Sequence, residues 1–271
     1  MLALRLLEPT GIDGLALEEV DVPAPGPGEA LVRVHAAALT RDELEWPVDR
    51  LPATPSYELS GAIESLGAGV DGLAAADEVF ALTPFDRDGA AAEYTVVPAA
   101  ALAPKPRALD HLEAAALPLA ALSAWQGLFD HGRLEAGQRV VIHGAGGGVG
   151  HLACQLARHR GADVVATDRS TTDIEEAVAG ADLVFDTVGG DVLARSAGPR
   201  VVSVAEDAPG ATYFVVEPNR GQLQELAALA DAGALRPQLD SVFPLADARA
   251  AFERLAQPGK QGKVVLRVHD A

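Results

Sequence analysis

The sequence has a single cysteine and no long run of apolar residues. Cys154 is the only cysteine among 271 residues, so no disulfide can form within the chain and no cysteine cluster can hold a metal. No stretch is long and apolar enough to span a bilayer, and the first residues lack the charged and apolar regions of a signal peptide. These absences predict a soluble, cytoplasmic protein in which Cys154 is a buried structural thiol.

Positive charge is also scarce. The chain carries 21 lysines and arginines against 39 aspartates and glutamates, a formal net charge of −18. Phosphate backbones and anionic lipid headgroups repel such a chain, so neither nucleic acid nor a membrane surface is an expected partner. Any anionic ligand must therefore be held by local dipoles and a few cations rather than by the field of the whole protein.

Glycine, in contrast, is concentrated at one informative place. An apolar strand at 140–142 leads into a glycine-rich turn at 143–150, and the apolar spacing after the turn predicts an amphipathic helix. A strand, a tight glycine turn and a helix N-terminus form a socket for a dinucleotide pyrophosphate. We expect the backbone N–H groups of residues 146–150 to hold the phosphates.

The residues after the turn strengthen this interpretation. Gly161 is placed to end the helix, and residues 163–168 are typical of a short buried strand that ends in an acid. That acid, Asp168, lies 18 residues after Gly150, close to where a ribose-binding carboxylate is expected. A glycine turn that serves only the fold is the alternative, and the order strand, turn, helix, strand and acid favours the nucleotide site.

The chain divides into a β-rich part and an alternating part. Short strands broken by proline and glycine fill residues 1–120, whereas strands and helices alternate over 121–237. A helix at 247–255 and a strand at 263–268 close the chain, and we expect that strand to return to the β-rich part. Four further helices are predicted before this closing segment. They are 110–117, 122–129, 172–178 and one capped by Asn219.

Six short motifs are distributed over nearly the whole chain. They are Pro-Gly-Pro-Gly-Glu at 25–29, Pro-Ser-Tyr-Glu-Leu-Ser-Gly at 55–61, Leu-Ser-Ala-Trp at 122–125, the glycine turn at 143–150, Asp-Thr-Val-Gly-Gly at 186–190, and Gly-Lys-Val-Val-Leu at 262–266. With them the sequence resembles the zinc-free, quinone oxidoreductase-like branch of the medium-chain dehydrogenase/reductase superfamily. The resemblance implies an α/β protein. A GroES-like catalytic domain would comprise residues 1–120 and 238–271, and a Rossmann domain with a doubly wound parallel sheet would comprise residues 121–237.

The sequence is shorter than this family pattern in the Rossmann domain. Asp186 follows Asp168 by only 18 residues, with one predicted helix between them. The family pattern has a helix, a further strand and another helix there. We therefore expect the domain to lack part of its usual second half, including a strand that borders the adenine pocket.

The resemblance also bears on metal and catalysis. Zinc-dependent relatives carry a cysteine and a histidine where this chain has Thr40 and Tyr57, while Glu58 is kept, so the resemblance implies no zinc. Tyr57 is a candidate proton donor, and a packed aromatic is the alternative. Thr40 is a candidate contact to the nicotinamide, and a turn-closing residue is its alternative. For Glu58 a structural ion pair is expected.

Further residues are implied to contact the cofactor. Ser123 has helix capping as its alternative role, and Lys263 has that of a solvated lysine. Asp168 favours the ribose diol of NAD(H), whereas Arg169 and Ser170 suit a 2′-phosphate, and the resemblance narrowly favours NADP(H) over NAD(H). The cofactor-binding candidates are Ser123, Ala145, Gly146, Gly147, Gly148, Val149, Gly150, Asp168, Arg169, Ser170, Gly189, Val204, Ala205, Phe214, Val215 and Lys263.

Together these features predict a zinc-independent, NAD(P)H-dependent oxidoreductase. It would reduce a quinone, an enone or another conjugated carbonyl of a small molecule by direct hydride transfer. Two alternatives stay open. One is a redox-inactive NAD(P)-binding protein, and the other is a family member repurposed for a cyclisation or isomerisation in a biosynthetic pathway. Homodimers are common in the family, and the sequence leaves the oligomeric state open.

Overall fold

The computed structural model describes residues 1–168, 170–171, 173–196 and 199–269. The strands in this part of the chain are β1 Leu2–Leu6, β2 Leu15–Glu19, β3 Glu29–Leu39, β4 Glu58–Leu66, β5 Glu78–Leu82, β6 Tyr94–Pro98, β7 Ala103–Pro104, β8 Arg139–His143, β9 Asp163–Thr167, β10 Leu183–Asp186, β11 Arg200–Ser203, β12 Ala211–Tyr213, β13 Leu239–Pro244 and β14 Lys263–Arg267. The α-helices are α1 His111–Ala115, α2 Pro118–Trp125, α3 Gly150–His159, α4 Ile174–Val178, α5 Gly190–Ala194, α6 Arg220–Asp231 and α7 Ala248–Ala256.

The chain folds into two units. The first unit comprises Met1–Leu119, Glu217–Asp231 and the chain from Pro237 on, and the second comprises Ala120–Val216 and Ala232–Arg236. The predicted division at 120 and 237 differs from these units in the segment that holds α6. This helix packs on β7, and the N–H of Ala108 donates to the Asp231 carboxylate at its end, at 2.9 Å.

The first unit is built on a largely antiparallel sheet with strand order β13-β14-β3-β4-β5-β7, and β6 also pairs with β3. Strand β14 lies antiparallel to β3, with Val264 opposite Leu39, which confirms that the last strand returns to the β-rich part. Gly61 is required on β4 because a Cβ there would lie 2.2 Å from the Arg33 carbonyl oxygen. The core contains apolar side chains of β3, β4 and β14 together with Phe252 of α7.

The helices of the first unit begin at recognisable caps. Asp110 and Glu113 form a capping box at α1, and the Asn219 side chain accepts the N–H of Gln222 at the start of α6, at 3.0 Å.

The predicted helix at 110–117 ends earlier, at Ala115, because Pro118 begins a new helix. That helix, α2, continues as a π-helical segment, Gln126–His131, so the prediction of a helix beginning at 122 is wrong in its bounds.

The second unit contains the predicted parallel sheet. Its five strands are all parallel and have the order β12-β11-β10-β8-β9. Strand β9 is therefore an edge strand, which agrees with the predicted loss of a neighbouring strand. The strand predicted at 163–168 is present but ends one residue earlier, at Thr167, and the prediction that it is buried is wrong, because Thr167 alone among these residues is buried. With no strand on the outer side of β9 in the described ranges, its other side chains stay partly open to solvent.

A histidine stack in the first unit makes folding sensitive to acid. The ring of His35 stacks on His111 with 4.3 Å between centroids, and its Nδ1 has no hydrogen-bond partner in the described part of the chain. Burial, helped by His111 and Arg33, lowers the pKa of His35 to about 4, whereas Glu78 opposes this effect. Below pH 6.5 the unfolded chain takes up a proton that the folded chain resists, so the free energy of unfolding falls.

We expect this one group to lower the free energy of unfolding by about 2 kcal/mol between pH 7 and pH 5. Urea titrations at both pH values measure the loss, and His35→Asn is expected to reduce it. His159→Asn, at an exposed position, is the matched control and is expected to keep the full loss. An equal loss in His35→Asn and the unmodified protein would contradict the assignment to His35.

Among the residues that the structure describes, no helix has the length and apolar character needed to cross a bilayer.

Candidate functional site

The glycine turn connects β8 to α3 and is held by its own backbone. Gly144 has a φ of +75°, and the N–H groups of Gly144 and Ala145 donate to the Thr167 carbonyl at 3.1 and 3.0 Å. The N–H of Gly147 donates to the Gly144 carbonyl at 2.8 Å. Gly150 has no room for a side chain, because a Cβ would lie 2.2 Å from that same carbonyl oxygen. These contacts define a rigid turn of fixed shape.

The turn leaves other N–H groups for a ligand. Within the described ranges, no protein acceptor is found for the N–H groups of Gly146, Gly148 and Val149, which precede the ten-residue helix α3. The partial positive charge of the helix N-terminus adds to these donors, and both favour an anion. Gly146 is exposed, and a Cβ on it would meet nothing within 4 Å. This arrangement fits a diphosphate.

Two N–H groups of the turn have partners in the protein. Those of Ala145, a cofactor-binding candidate, and Gly147, a predicted phosphate donor, are used to shape the socket. The contacts of both residues with a cofactor stay predictions. His151, on the first turn of α3, also contacts the turn, because its Nδ1 donates to the Gly147 carbonyl at 2.8 Å. The sequence pattern could not distinguish these roles, because every residue of the turn carries an N–H.

A buried histidine supports the turn from below. His143 is fully buried, with Nδ1 2.7 Å from Thr167 Oγ1 and Nε2 2.8 Å from Ser196 Oγ. Ser196 donates its own hydrogen to the Val192 carbonyl, so Nε2 of His143 is the donor to Ser196 and Nδ1 accepts from Thr167. Burial lowers the pKa of His143, which keeps the ring neutral. His143 therefore joins the ends of β8 and β9 to α5.

Asp168 follows β9 as a fixed carboxylate. Its Oδ1 accepts the N–H of Ser170 at 2.8 Å and the Ser170 hydroxyl at 2.6 Å. These two hydrogen bonds lower the pKa of Asp168, so the group carries a negative charge. The hydroxyl of Ser170, a predicted phosphate contact, therefore donates its hydrogen to Asp168. Arg169 lies outside the described residues, and so does any pairing between it and Asp168.

Asp186 is not among the predicted site residues, yet its side chain organises two loops of the site. Its carboxylate accepts the N–H of Gly189 at 3.1 Å and the Ser203 hydroxyl at 2.8 Å. Ser203 Oγ in turn accepts the N–H groups of Ala205 at 3.1 Å and Glu206 at 3.2 Å. Asp186 therefore ties the loop after β10 to the loop after β11. An acid at the end of an apolar strand, followed by two glycines, is the signal that could have identified it.

The structure places most of the predicted cofactor residues at the carboxyl ends of the parallel strands. The glycine turn follows β8, and Asp168, Gly189, Val204 and Phe214 follow β9, β10, β11 and β12 in that order. Parallel α/β sheets bind their ligands at these ends of the strands. The Phe214 ring is mostly buried and stacks on His131 with 4.4 Å between centroids.

Three further candidates of the second unit lie in different surroundings. Val215 is 58% exposed, and Ala205 is exposed as well. Ser123 is buried on α2. Exposure leaves the first two accessible to a ligand, whereas Ser123 is surrounded by protein. The contacts of all three with a cofactor stay predictions.

In the first unit, the pairing of β3 with β4 and β14 brings together a polar cluster that consists of Thr40, Glu43, Glu58 and Lys263. Thr40 follows β3, Glu58 begins β4, and Lys263 begins β14. The Lys263 ammonium donates to the Glu58 carboxylate and, at 3.2 Å, to Thr40 Oγ1. Glu58 also accepts the N–H of Leu119 at 2.9 Å. Lys263 is only 3% exposed, so the alternative of a solvated lysine is wrong, and the expected ion pair of Glu58 is present.

Glu43, the fourth member of the polar cluster, is not among the residues predicted from the sequence. It is fully buried, and its Oε2 accepts the N–H of Thr40 at 3.0 Å. Its Oε1 has no hydrogen-bond partner in the described part of the chain. Burial raises the pKa of Glu43 to about 8, so the carboxyl is protonated at neutral pH. The run Arg-Asp-Glu-Leu-Glu at 41–45 gave no signal, since such charged runs are typical of exposed loops.

Tyr57 lies in an aromatic cluster of the first unit. Its side chain is fully buried against Trp46 and Phe85, with ring centroids 5.6 and 5.2 Å away. The Arg50 guanidinium donates to its hydroxyl at 3.1 Å, and burial raises the pKa of that hydroxyl. This environment is that of the packed aromatic considered as the alternative, and a role of Tyr57 as proton donor stays a prediction.

Two family profiles match the chain. The one described as "Alcohol dehydrogenase GroES-like domain" matches residues 26–107, and the one described as "Zinc-binding dehydrogenase" matches residues 160–266. The "Probable zinc-binding oxidoreductase, mitochondrial" of Arthroderma benhamiae is 31% identical over 309 residues, which cover 94% of this chain and 93% of the relative. The "2-methylene-furan-3-one reductase" of Solanum lycopersicum is 32% identical over 94% of this chain and 76% of its own length.

Solved structures agree with the sequence relatives. The quinone oxidoreductase from Coxiella burnetii has a TM-score of 0.88 and 27% sequence identity, with 99% of both chains covered. An alcohol dehydrogenase superfamily protein from Novosphingobium aromaticivorans has a TM-score of 0.87 and 30% identity, over 99% of this chain and 100% of the other. The predicted GroES-like and Rossmann folds are thus confirmed, and the chain belongs to the medium-chain dehydrogenase/reductase superfamily.

Proposed function

We propose that this oxidoreductase uses NAD(P)H to reduce the carbon–carbon double bond or quinone ring of a conjugated carbonyl compound. The observation that carries the proposal is the glycine turn. Its N–H groups at Gly146, Gly148 and Val149 have no acceptor among the residues that the structure describes, and they lie before α3, where they fit a diphosphate. The bound nucleotide supplies the hydride. The name of the tomato relative, a 2-methylene-furan-3-one reductase, supports a substrate of this class.

Zinc independence is part of the proposal. Thr40 and Tyr57 stand where the zinc-dependent relatives are expected to carry a cysteine and a histidine. Here the Lys263 ammonium lies 3.2 Å from Thr40 Oγ1, and the Tyr57 hydroxyl accepts from the Arg50 guanidinium. A zinc ion at these oxygens would meet two fixed cations, and neither neutral hydroxyl is a ligand that zinc prefers. The residues present therefore do not fit a catalytic zinc.

For the cofactor, we propose a preference for NADH over NADPH. The resemblance narrowly favours NADP(H), whereas the geometry of Asp168 supports NAD(H). Its carboxylate is held at the end of β9 by Ser170 and carries a full negative charge. A carboxylate there accepts hydrogen bonds from the ribose diol and repels a 2′-phosphate.

The experiment is a 340 nm assay with NADH and NADPH against a panel of quinones and enones. We expect turnover that a chelator of divalent metals does not abolish. Calorimetric binding of the nucleotide without turnover on the whole panel would favour the redox-inactive alternative. Conversion of a substrate without added reductant would favour the repurposed member instead.

A further inference from the structure

We propose that Lys263 is a positioning residue that directs the Thr40 hydroxyl as a hydrogen-bond donor to the substrate carbonyl oxygen. This inference rests on the proposed reduction of a conjugated carbonyl. It concerns side chains of the polar cluster in the first unit and assigns to Lys263 a role other than cofactor binding.

The direction of the hydroxyl hydrogen follows from donor chemistry. An ammonium group carries only donors, so at 3.2 Å the Lys263 Nζ donates and Thr40 Oγ1 accepts. A threonine hydroxyl has a single hydrogen, which then points away from Lys263. Thr40 is half-buried, and no protein acceptor for its hydroxyl hydrogen is found in the described part of the chain. The hydrogen is thus free for a partner outside the cluster.

The groups around Lys263 hold its ammonium and Thr40 in fixed positions. Its ammonium is buried and paired with the Glu58 carboxylate, which is itself held by the Leu119 N–H. Glu43, the nearest other acid of the cluster, is neutral at physiological pH because burial raises its pKa to about 8. Glu43 also fixes the Thr40 backbone through the N–H of that residue. A cation that donates to an alcohol oxygen strengthens the alcohol as a donor in turn.

The chemistry that this donor serves is the development of charge on oxygen. When a hydride forms a C–H bond at the β-carbon of an enone, the π electron pair moves to give an enolate. The negative charge then appears on the former carbonyl oxygen. A hydrogen bond from Thr40 stabilises that oxygen more than the neutral carbonyl, which lowers the barrier. A proton from solvent at the α-carbon completes the reduction.

The test compares variants at both ends of this contact with the full chain, NADH and the best enone of the panel. Thr40→Val is expected to lower kcat by about 10²-fold with the nucleotide Kd unchanged, whereas Thr40→Ser stays within about threefold. Glu58→Gln/Lys263→Met, which removes both charges together, is expected to lower kcat by about tenfold. In the Thr40→Val background the same pair is expected to change kcat by less than about twofold, because the contact is already lost.

Lys105 and Glu78 provide a control ion pair outside the polar cluster. They lie 3.4 Å apart in the first unit, with the Lys105 side chain 8% exposed and the Glu78 side chain 59% exposed. Lys105→Met/Glu78→Gln is expected to leave kcat unchanged. Should the Glu58→Gln/Lys263→Met variant fail to fold, Glu58→Gln/Lys263→Leu also removes both charges together and leaves no buried charge unpaired, and about a tenfold loss in kcat is still expected because the donor to Thr40 is lost.

The outcomes separate the two proposals. An unmodified protein without turnover on any conjugated carbonyl overturns both. Turnover in the unmodified protein with Thr40→Val equal to it overturns the role of Thr40 and leaves the proposed function intact. Additive losses in the combined variant would show that Lys263 acts without Thr40, and would overturn the positioning role.

Discussion

Replacing Gly150 with alanine is expected to abolish nucleotide binding and to destabilise the second unit. The new Cβ would lie 2.2 Å from the Gly144 carbonyl oxygen and 2.9 Å from Ala145 Cα. Both contacts are to backbone, so the turn itself must move. Overpacking of this kind costs about 3 kcal/mol. Because the displaced turn carries the free N–H groups, the nucleotide Kd is expected to rise by at least about 100-fold.

Gly146→Ala separates ligand binding from folding. A Cβ on Gly146 meets nothing within 4 Å, so the melting temperature is expected to stay close to that of the unmodified protein. The added methyl group would occupy space that the diphosphate needs, and we expect about a tenfold weaker Kd. Calorimetry and thermal melts measure both quantities. Nucleotide binding unchanged in Gly146→Ala would place the phosphates elsewhere.

The sequence predicted the parts of this molecule that depend on local pattern. The glycine turn, the helix after it and the cap at Asn219 are each encoded within a few residues, so they could be located directly. The five-stranded parallel sheet followed from the alternation of strands and helices. The missing strand was visible as a short spacing between two acids.

The features that the sequence did not predict depend on pairing between distant residues. Strand β9 has an apolar composition typical of a buried strand, and its exposure arises because no strand of the described ranges pairs with its outer side. The polar cluster requires the register that places β14 beside β3. Glu43 is buried because its loop folds back onto Thr40. None of these contacts has a signature in the residues next to it.

The second large effect is expected at Asp168, where one substitution should reverse the choice of nucleotide. Asp168→Ser removes the fixed carboxylate at the end of β9 and with it the repulsion of a 2′-phosphate. It also frees the Ser170 hydroxyl, which now donates to Asp168 at 2.6 Å, for a phosphate oxygen. We expect the ratio of kcat/KM for NADPH to that for NADH to rise by about 10²-fold.

Asp163→Asn is the matched control for this change. It removes the same charge from the opposite end of the same strand, where Asp163 is exposed, and is expected to leave the ratio unchanged. Initial rates at 340 nm with each nucleotide under saturating acceptor give both ratios. A shift of equal size in the two variants would assign the preference to net charge, since the chain carries −18 overall. If the nucleotide preference changes in Asp168→Ser alone, the Asp168 carboxylate must face the adenosine ribose. Only a group in direct contact with the ribose distinguishes its diol from a 2′-phosphate.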